Sequence, residues 1–289
     1  MKQPLFTGAC TALVTPFHNG VPNLDMLKQL LDRQLEAGIR TIVLCGTTGE
    51  SPTLSDDEKL SLFTCARKHL GDSGTIIAGT GSNDTRHALS LSIAAEEAGS
   101  DALLIVSPYY NKATPDGLYT HYAAIASAVH IPIIVYNVPS RTGVDVPLSV
   151  YQRLSKLPNI AGVKEASADI VKTAKIRASC PSDFFVWSGN DDQIVPVMSL
   201  GGMGVISVLS NVAPLETQAM AQAALAGDFD TAAALQLELL PLIELLFCEV
   251  NPIPVKAAME IIGYDCGPCR MPLSPMSHEN YRKLKALLT

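Results

Sequence analysis

Short, nearly unbroken apolar runs rich in β-branched residues recur along this chain, and each is followed by an amphipathic stretch. The runs occupy 11–17 (TALVTPF), 41–46 (TIVLCG), 75–80 (TIIAGT), 102–108 (ALLIVSP), 131–137 (IPIIVYN), 160–167 (IAGVKEAS), 184–189 (FFVWSG) and 204–208 (GVISV). Near-continuous apolarity is the pattern of a strand covered on both faces. The intervening segments read as helices. In 25–37, Leu27, Leu30, Leu31 and Leu35 share one face and Gly38 supplies the stop. Ser55 and Glu58 have capping-box spacing, and Gly71 ends that segment. Segments 84–98, 117–130, 148–157 and 169–179 fill the next gaps.

Alternating strand and helix implies parallel pairing through right-handed crossovers. Eight such units predict an α/β fold of the (β/α)8 TIM-barrel class. An open doubly wound sheet would usually carry a glycine fingerprint after its first strand, and TALVTPFHNG has none. Beyond Val208 the pattern becomes helical to the end. The expected organisation is a barrel over residues 1–212 that holds the active site, with a C-terminal helical extension over 213–289 packed on it.

Bulk properties exclude several classes. At 289 residues and 47% hydrophobic, the chain is long enough to bury a core without covalent staples. A net charge of −7 and the lack of a basic stripe argue against a nucleic-acid partner. No apolar run is long enough to span a bilayer, and the N-terminus lacks a leader pattern, so a cytoplasmic protein without a membrane partner is expected. Seven irregularly spaced cysteines do not form a disulfide framework. Cys266 and Cys269 make one CxxC, but a closed zinc site needs four ligands, so no metal is expected.

In a barrel of this class, chemistry sits at the C-terminal ends of the strands. The polar residues there include Thr47, Thr48, Tyr109, Tyr110, Tyr136, Arg141, Lys164, Glu165 and Asn190. Lys164 follows Ile160-Ala161-Gly162-Val163 in a buried-strand pattern, where lysine is rare without a partner or a task. It has two readings: a rim lysine that snorkels or pairs with Glu165, or an amine nucleophile. Amines against apolar walls shed their charge more readily and form imines with ketones. Imine chemistry needs a proton shuttle, for which Tyr136 is the natural candidate, with Thr47 and Tyr110 as possible hydroxyl relays. Arg141 could grip a carboxylate with its guanidinium fork. Gly46-Thr47-Thr48-Gly49 could aim backbone N–H groups at a second one.

Six segments add a resemblance. GTTGES (46–51), SPYYN (107–111), YNVPSRTG (136–143), VKEAS (163–167), GVISVLSN (204–211) and NPIPVK (251–256) run in order over almost the whole chain. Together they resemble the dihydrodipicolinate synthase family, part of the class I pyruvate-dependent aldolases that include N-acetylneuraminate lyase. The resemblance implies a lyase of the lysine and diaminopimelate pathway that condenses pyruvate with L-aspartate 4-semialdehyde, without a cofactor. Lys164 would form the imine, and Tyr136, Thr47 and Tyr110 the proton relay. Thr48 would bind the pyruvate carboxylate, Ile206 and Gly189 would lie near the substrate, and Arg141 would hold the semialdehyde carboxylate. The resemblance also implies a homotetramer, a dimer of dimers, in which Tyr110 reaches into a neighbouring subunit's site. Sialic-acid lyases tend to be apolar where this chain has Arg141, so Arg141 favours the synthase over a sugar-acid aldolase.

Two departures stand out. Asn190 replaces an aspartate that often follows Ser-Gly in the seventh strand. In lysine-inhibited members the segment after GTTGES tends to carry histidines and a glutamate follows the Gly-Thr-Gly strand end, whereas Asp56, Lys59 and His87 occupy the corresponding places here. Those changes imply weak or absent feedback by lysine.

Overall fold

The computed structural model describes residues 2–289. Eight parallel strands close into a barrel: β1 Gly8–Ala12, β2 Thr41–Leu44, β3 Thr75–Gly79, β4 Ala102–Val106, β5 Ile133–Asn137, β6 Ile160–Glu165, β7 Phe185–Ser188 and β8 Gly204–Ser207. Each strand pairs with its neighbour in sequence, and β8 pairs back onto β1. The fold is the expected (β/α)8 barrel.

The first strand differs from its sequence run. It begins at Gly8 and ends at Ala12, earlier than the run at 11–17. Leu13 and Val14 are fully buried beyond the strand end, so apolarity continues where strand pairing does not. Phe17–His18 pairs with Val21–Pro22 in a separate small hairpin.

The helices start where local chemistry satisfies their free N–H groups. Asn23 accepts from Met26 N at the head of Leu24–Glu36, and Ser55 and Glu58 complete the capping box of Asp56–Leu70. Asp84 caps Thr85–Glu97, and Asp169 caps Ile170–Ser179. Four further helices follow the last strand: Pro214–Leu225, Phe229–Leu246, Ile253–Ile261 and His278–Leu288. Among the described residues, no helix is long and apolar enough to cross a membrane.

The period of two along each strand divides the apolar residues into two layers. One lies between barrel and helices and holds Ile42, Ile76, Leu103, Val135, Val163 and Val186. The other fills the barrel and holds Cys10, Val43, Ile77, Ile134, Tyr136, Trp187 and Ile206. Phe6 stacks on Trp187 with ring centroids 5.1 Å apart, and Trp187 Nε1 donates to the Phe6 carbonyl at 3.2 Å. Phe6 comes from the segment that precedes β1, so this pair fastens that segment to the barrel interior.

Candidate active site

Strand parity decides the position of Lys164. Tyr136 on β5, Lys164 on β6 and Trp187 on β7 are in register. Tyr136 and Trp187 belong to the barrel interior, and Lys164 therefore points inward with them. It is 5% exposed, and its Nζ lies 4.4 Å from the centroid of the Tyr136 ring. Among the described residues it makes no hydrogen bond or ion pair.

Glu165 faces the other way. It accepts from Asn137 Nδ2 at 2.9 Å, from Ser167 N at 2.8 Å and from the Tyr151 hydroxyl at 3.4 Å. The reading of Lys164 as a partner of Glu165 is thereby excluded. Burial and the Glu165 charge push the Tyr151 phenol well above its ordinary range.

A cavity of about 370 Å³ opens at the C-terminal end of the barrel. Thr47, Tyr109, Tyr136 and Arg141 lie on its wall, and Lys164 does not. The wall continues outward to Asp56, Lys59, Ser82 and His87. There Asp56 pairs with His87 Nε2 at 2.9 Å and with Lys59 Nζ at 3.7 Å. Arg141 sits in the short helix Pro139–Thr142 and is an exposed residue.

Tyr110 stands apart from the other sequence candidates. It is 89% exposed, adopts φ of +69°, and its neighbour Tyr109 takes the place on the cavity wall. Ile206 is part of the interior wall. Gly189 is a matter of space: a Cβ there would lie 2.6 Å from Ala166 Cβ and 3.1 Å from Lys164 Cε. Any side chain at 189 would therefore press on the lysine.

Thr48 is buried, and its hydroxyl accepts from Asn251 Nδ2 at 3.1 Å. The same loop carries Glu50 in a left-handed conformation with φ of +57°. Glu50 is held by Lys256 Nζ at 2.9 Å and by Arg270 N at 2.8 Å. Lys256 and Arg270 both belong to the C-terminal extension and both lie over the Phe17 ring at 4.4 Å.

Asp191, after β7, is a buried carboxylate to which the sequence assigned no role. Its Oδ2 accepts from Val208 N and Leu209 N, each at 2.9 Å, and so ties the β7 and β8 loops together. Burial raises its pKa, against the Ser207 hydroxyl, these two amides and the charge of Lys164. Cys10, on β1 inside the barrel, has its thiol pushed up by burial, with Lys164 again the opposing charge. Cys266 and Cys269 are free thiols. Among the described residues no group of three His, Cys, Asp or Glu side chains could hold a metal ion.

The model of the dihydrodipicolinate synthetase family matches residues 5–289. The chain belongs to that family. A 4-hydroxy-tetrahydrodipicolinate synthase from Caldicellulosiruptor saccharolyticus is 49% identical over 287 residues, covering 99% of this chain and 97% of that protein. A crystal structure of dihydrodipicolinate synthase from Aquifex aeolicus is 41% identical, with 98% and 97% of the two chains covered and a TM-score of 0.96. The chloride-inhibited dihydrodipicolinate synthase from Acinetobacter baumannii, solved with pyruvate, is 40% identical, covers 98% of each chain and has a TM-score of 0.95.

Within this dihydrodipicolinate synthetase family member, Asn251 and Lys256 bracket the NPIPVK segment that the sequence singled out without a role. No local pattern could have assigned one. The contact from Asn251 to Thr48 spans 203 residues and that from Lys256 to Glu50 spans 206.

Proposed function

We propose that the chain condenses pyruvate with L-aspartate 4-semialdehyde to give 4-hydroxy-tetrahydrodipicolinate through an imine on Lys164. The observation that carries this reading is the inward-facing, 5% exposed Lys164 with no polar partner, in register with Tyr136, which lines a cavity whose wall also carries Arg141. An amine engaged by a carboxylate would be a poor nucleophile, and Lys164 is not so engaged. The names of the relatives and the pyruvate complex of one of them support the same substrates.

The chemistry follows from the groups present. The Lys164 amine adds to the C2 carbonyl of pyruvate, and loss of water leaves the imine. Tyr136 serves as the nearby acid and base for these transfers, with Thr47 on the same wall to extend its reach. Removal of a methyl proton gives the enamine, with the imine nitrogen taking the electron pair. The enamine carbon attacks the aldehyde and forms the new C–C bond. The amine of the second substrate then displaces Lys164 and closes the ring, which returns the lysine with one water released overall. Thr48, buried beside Thr47, is suited to the pyruvate carboxylate, and Arg141 on the cavity wall to the semialdehyde carboxylate. Ile206 and Gly189 shape the wall and the space around Lys164.

We further propose that Tyr110 serves a neighbouring subunit's relay within a homotetramer built as a dimer of dimers. Its 89% exposure, left-handed backbone and absence from its own chain's cavity wall support that role. A cytoplasmic location is proposed on the same family reading.

The test is borohydride reduction in the presence of pyruvate, followed by peptide mass spectrometry. The expected adduct is on Lys164. An adduct on another residue, or none, overturns the proposal.

A further inference from the structure

Asn251 opens the NPIPVK segment, just before the helix Ile253–Ile261, and contacts both of the groups read above as carboxylate binders. Its side-chain Nδ2 donates to Thr48 Oγ1 at 3.1 Å, and its main-chain carbonyl accepts from Arg141 Nη2 at 3.3 Å. The residue is 6% exposed. Its remaining polar atom, Oδ1, is buried and has no hydrogen-bond partner. A buried acceptor left unpaired is costly, and native proteins leave few of them without a reason.

The donor that this acceptor lacks can be named by chemistry. Pyruvate at neutral pH has no N–H or O–H group to offer. L-aspartate 4-semialdehyde carries an amino group on the carbon that bears its carboxylate. If Arg141 holds that carboxylate, the amine sits one carbon from the carboxylate, beside a guanidinium that donates to the Asn251 main-chain carbonyl. We propose that Asn251 is a specificity-determining residue whose Oδ1 accepts a hydrogen bond from the amino group of the second substrate. This rests on the functional reading above and deepens it: the same amine must later displace Lys164, so a site that grips it also selects for the group that releases the product. A buried polar site built for one donor rejects the analogue that lacks it far better than an apolar pocket can.

The test compares L-aspartate 4-semialdehyde with 4-oxobutanoate, the same aldehyde without its amine, at saturating pyruvate. In Asn251→Ala, the KM for the amino aldehyde should rise by roughly tenfold or more. The inhibition constant of 4-oxobutanoate should stay within about threefold of the wild-type value. Parallel rises for the two compounds would reduce Asn251 to a prop for Thr48, and no rise for either would remove it from recognition; each result overturns the proposal. A measurement on the unaltered enzyme guards against a variant that does not fold. The wild type should bind the amino aldehyde at least about tenfold more tightly than 4-oxobutanoate, and equal affinities overturn the proposal. If the wild type does not consume L-aspartate 4-semialdehyde at all, the functional reading fails first and this proposal falls with it.

Discussion

Glu50 and Lys256 form an ion pair of 2.9 Å whose side chains are 1% and 4% exposed. One partner lies on the loop that carries Thr47 and Thr48, the other in the C-terminal extension. The pair fixes the loop to a helix outside the barrel, and Arg270 N adds a second hold on the same carboxylate.

Breaking that pair on one side should be more damaging than removing both charges. Lys256→Met strands a buried carboxylate and should cost about 3–5 kcal/mol. The double variant Glu50→Gln with Lys256→Met should be more stable than Lys256→Met alone. Chemical denaturation of the four proteins of the cycle measures this; a double variant as unstable as the sum of the singles would contradict it.

Gly189→Ala should injure chemistry more than stability. The added methyl meets Ala166 and Lys164 Cε. Small displacements of a nucleophile are expensive, and kcat/KM should fall roughly a hundredfold. Steady-state rates within twofold of wild type would refute the packing argument.

Arg141→Ala should separate the two half-reactions. Borohydride should still trap pyruvate on Lys164, while turnover with the semialdehyde falls by about 100-fold or more, the scale of losing a charged hydrogen-bonded anchor. Unchanged turnover would remove Arg141 from substrate binding.

His121 should make the fold sensitive to acid. It is buried, its Nδ1 lies 3.0 Å from Thr85 Oγ1, and its Nε2 is unpaired. Burial lowers its pKa from 6.5 to about 4. The unfolded chain therefore binds a proton more readily, so the contribution is present in full above pH 6.5 and is lost as pH falls toward 4. The loss should approach about 3 kcal/mol. His121→Gln should flatten the dependence between pH 6.5 and pH 4 in urea melts, and an unchanged slope would assign acid sensitivity elsewhere.

Feedback by lysine should be weak. At the outer end of the cavity Asp56 is already paired with His87 and Lys59, so a cationic amino acid meets a lysine and a spent carboxylate. Half-inhibition should require more than about 1 mM lysine. A sub-millimolar value would show that the ligand rearranges this cluster.

The barrel was legible because its signal is local and repeated eight times: each buried strand is nearly continuous in apolar residues. The edge of the first strand was not, since Leu13 and Val14 remain buried after pairing has ended. Lys164 was legible as an anomaly in an apolar run, but a run buried on both faces hides its own parity. Only register with Tyr136 and Trp187 separates Lys164 from Glu165. Tyr110 was reached through resemblance, whereas Tyr109 is the tyrosine that its own chain's cavity uses. Asn251, Glu50 and Lys256 lay beyond reach because their contacts depend on how the extension docks, which no nearby spacing encodes.

The stacked Phe6 and Trp187 fill the barrel beside Lys164, and the cavity opens at the C-terminal end of the strands. Traffic through one mouth is sequential. On the proposed chemistry, the ketone must reach Lys164 before the aldehyde settles at Arg141, because an early aldehyde would stand in the doorway. The finished ring must clear the rim before the next ketone descends. An order of addition thus follows from the packing of Phe6 and Trp187 beside Lys164.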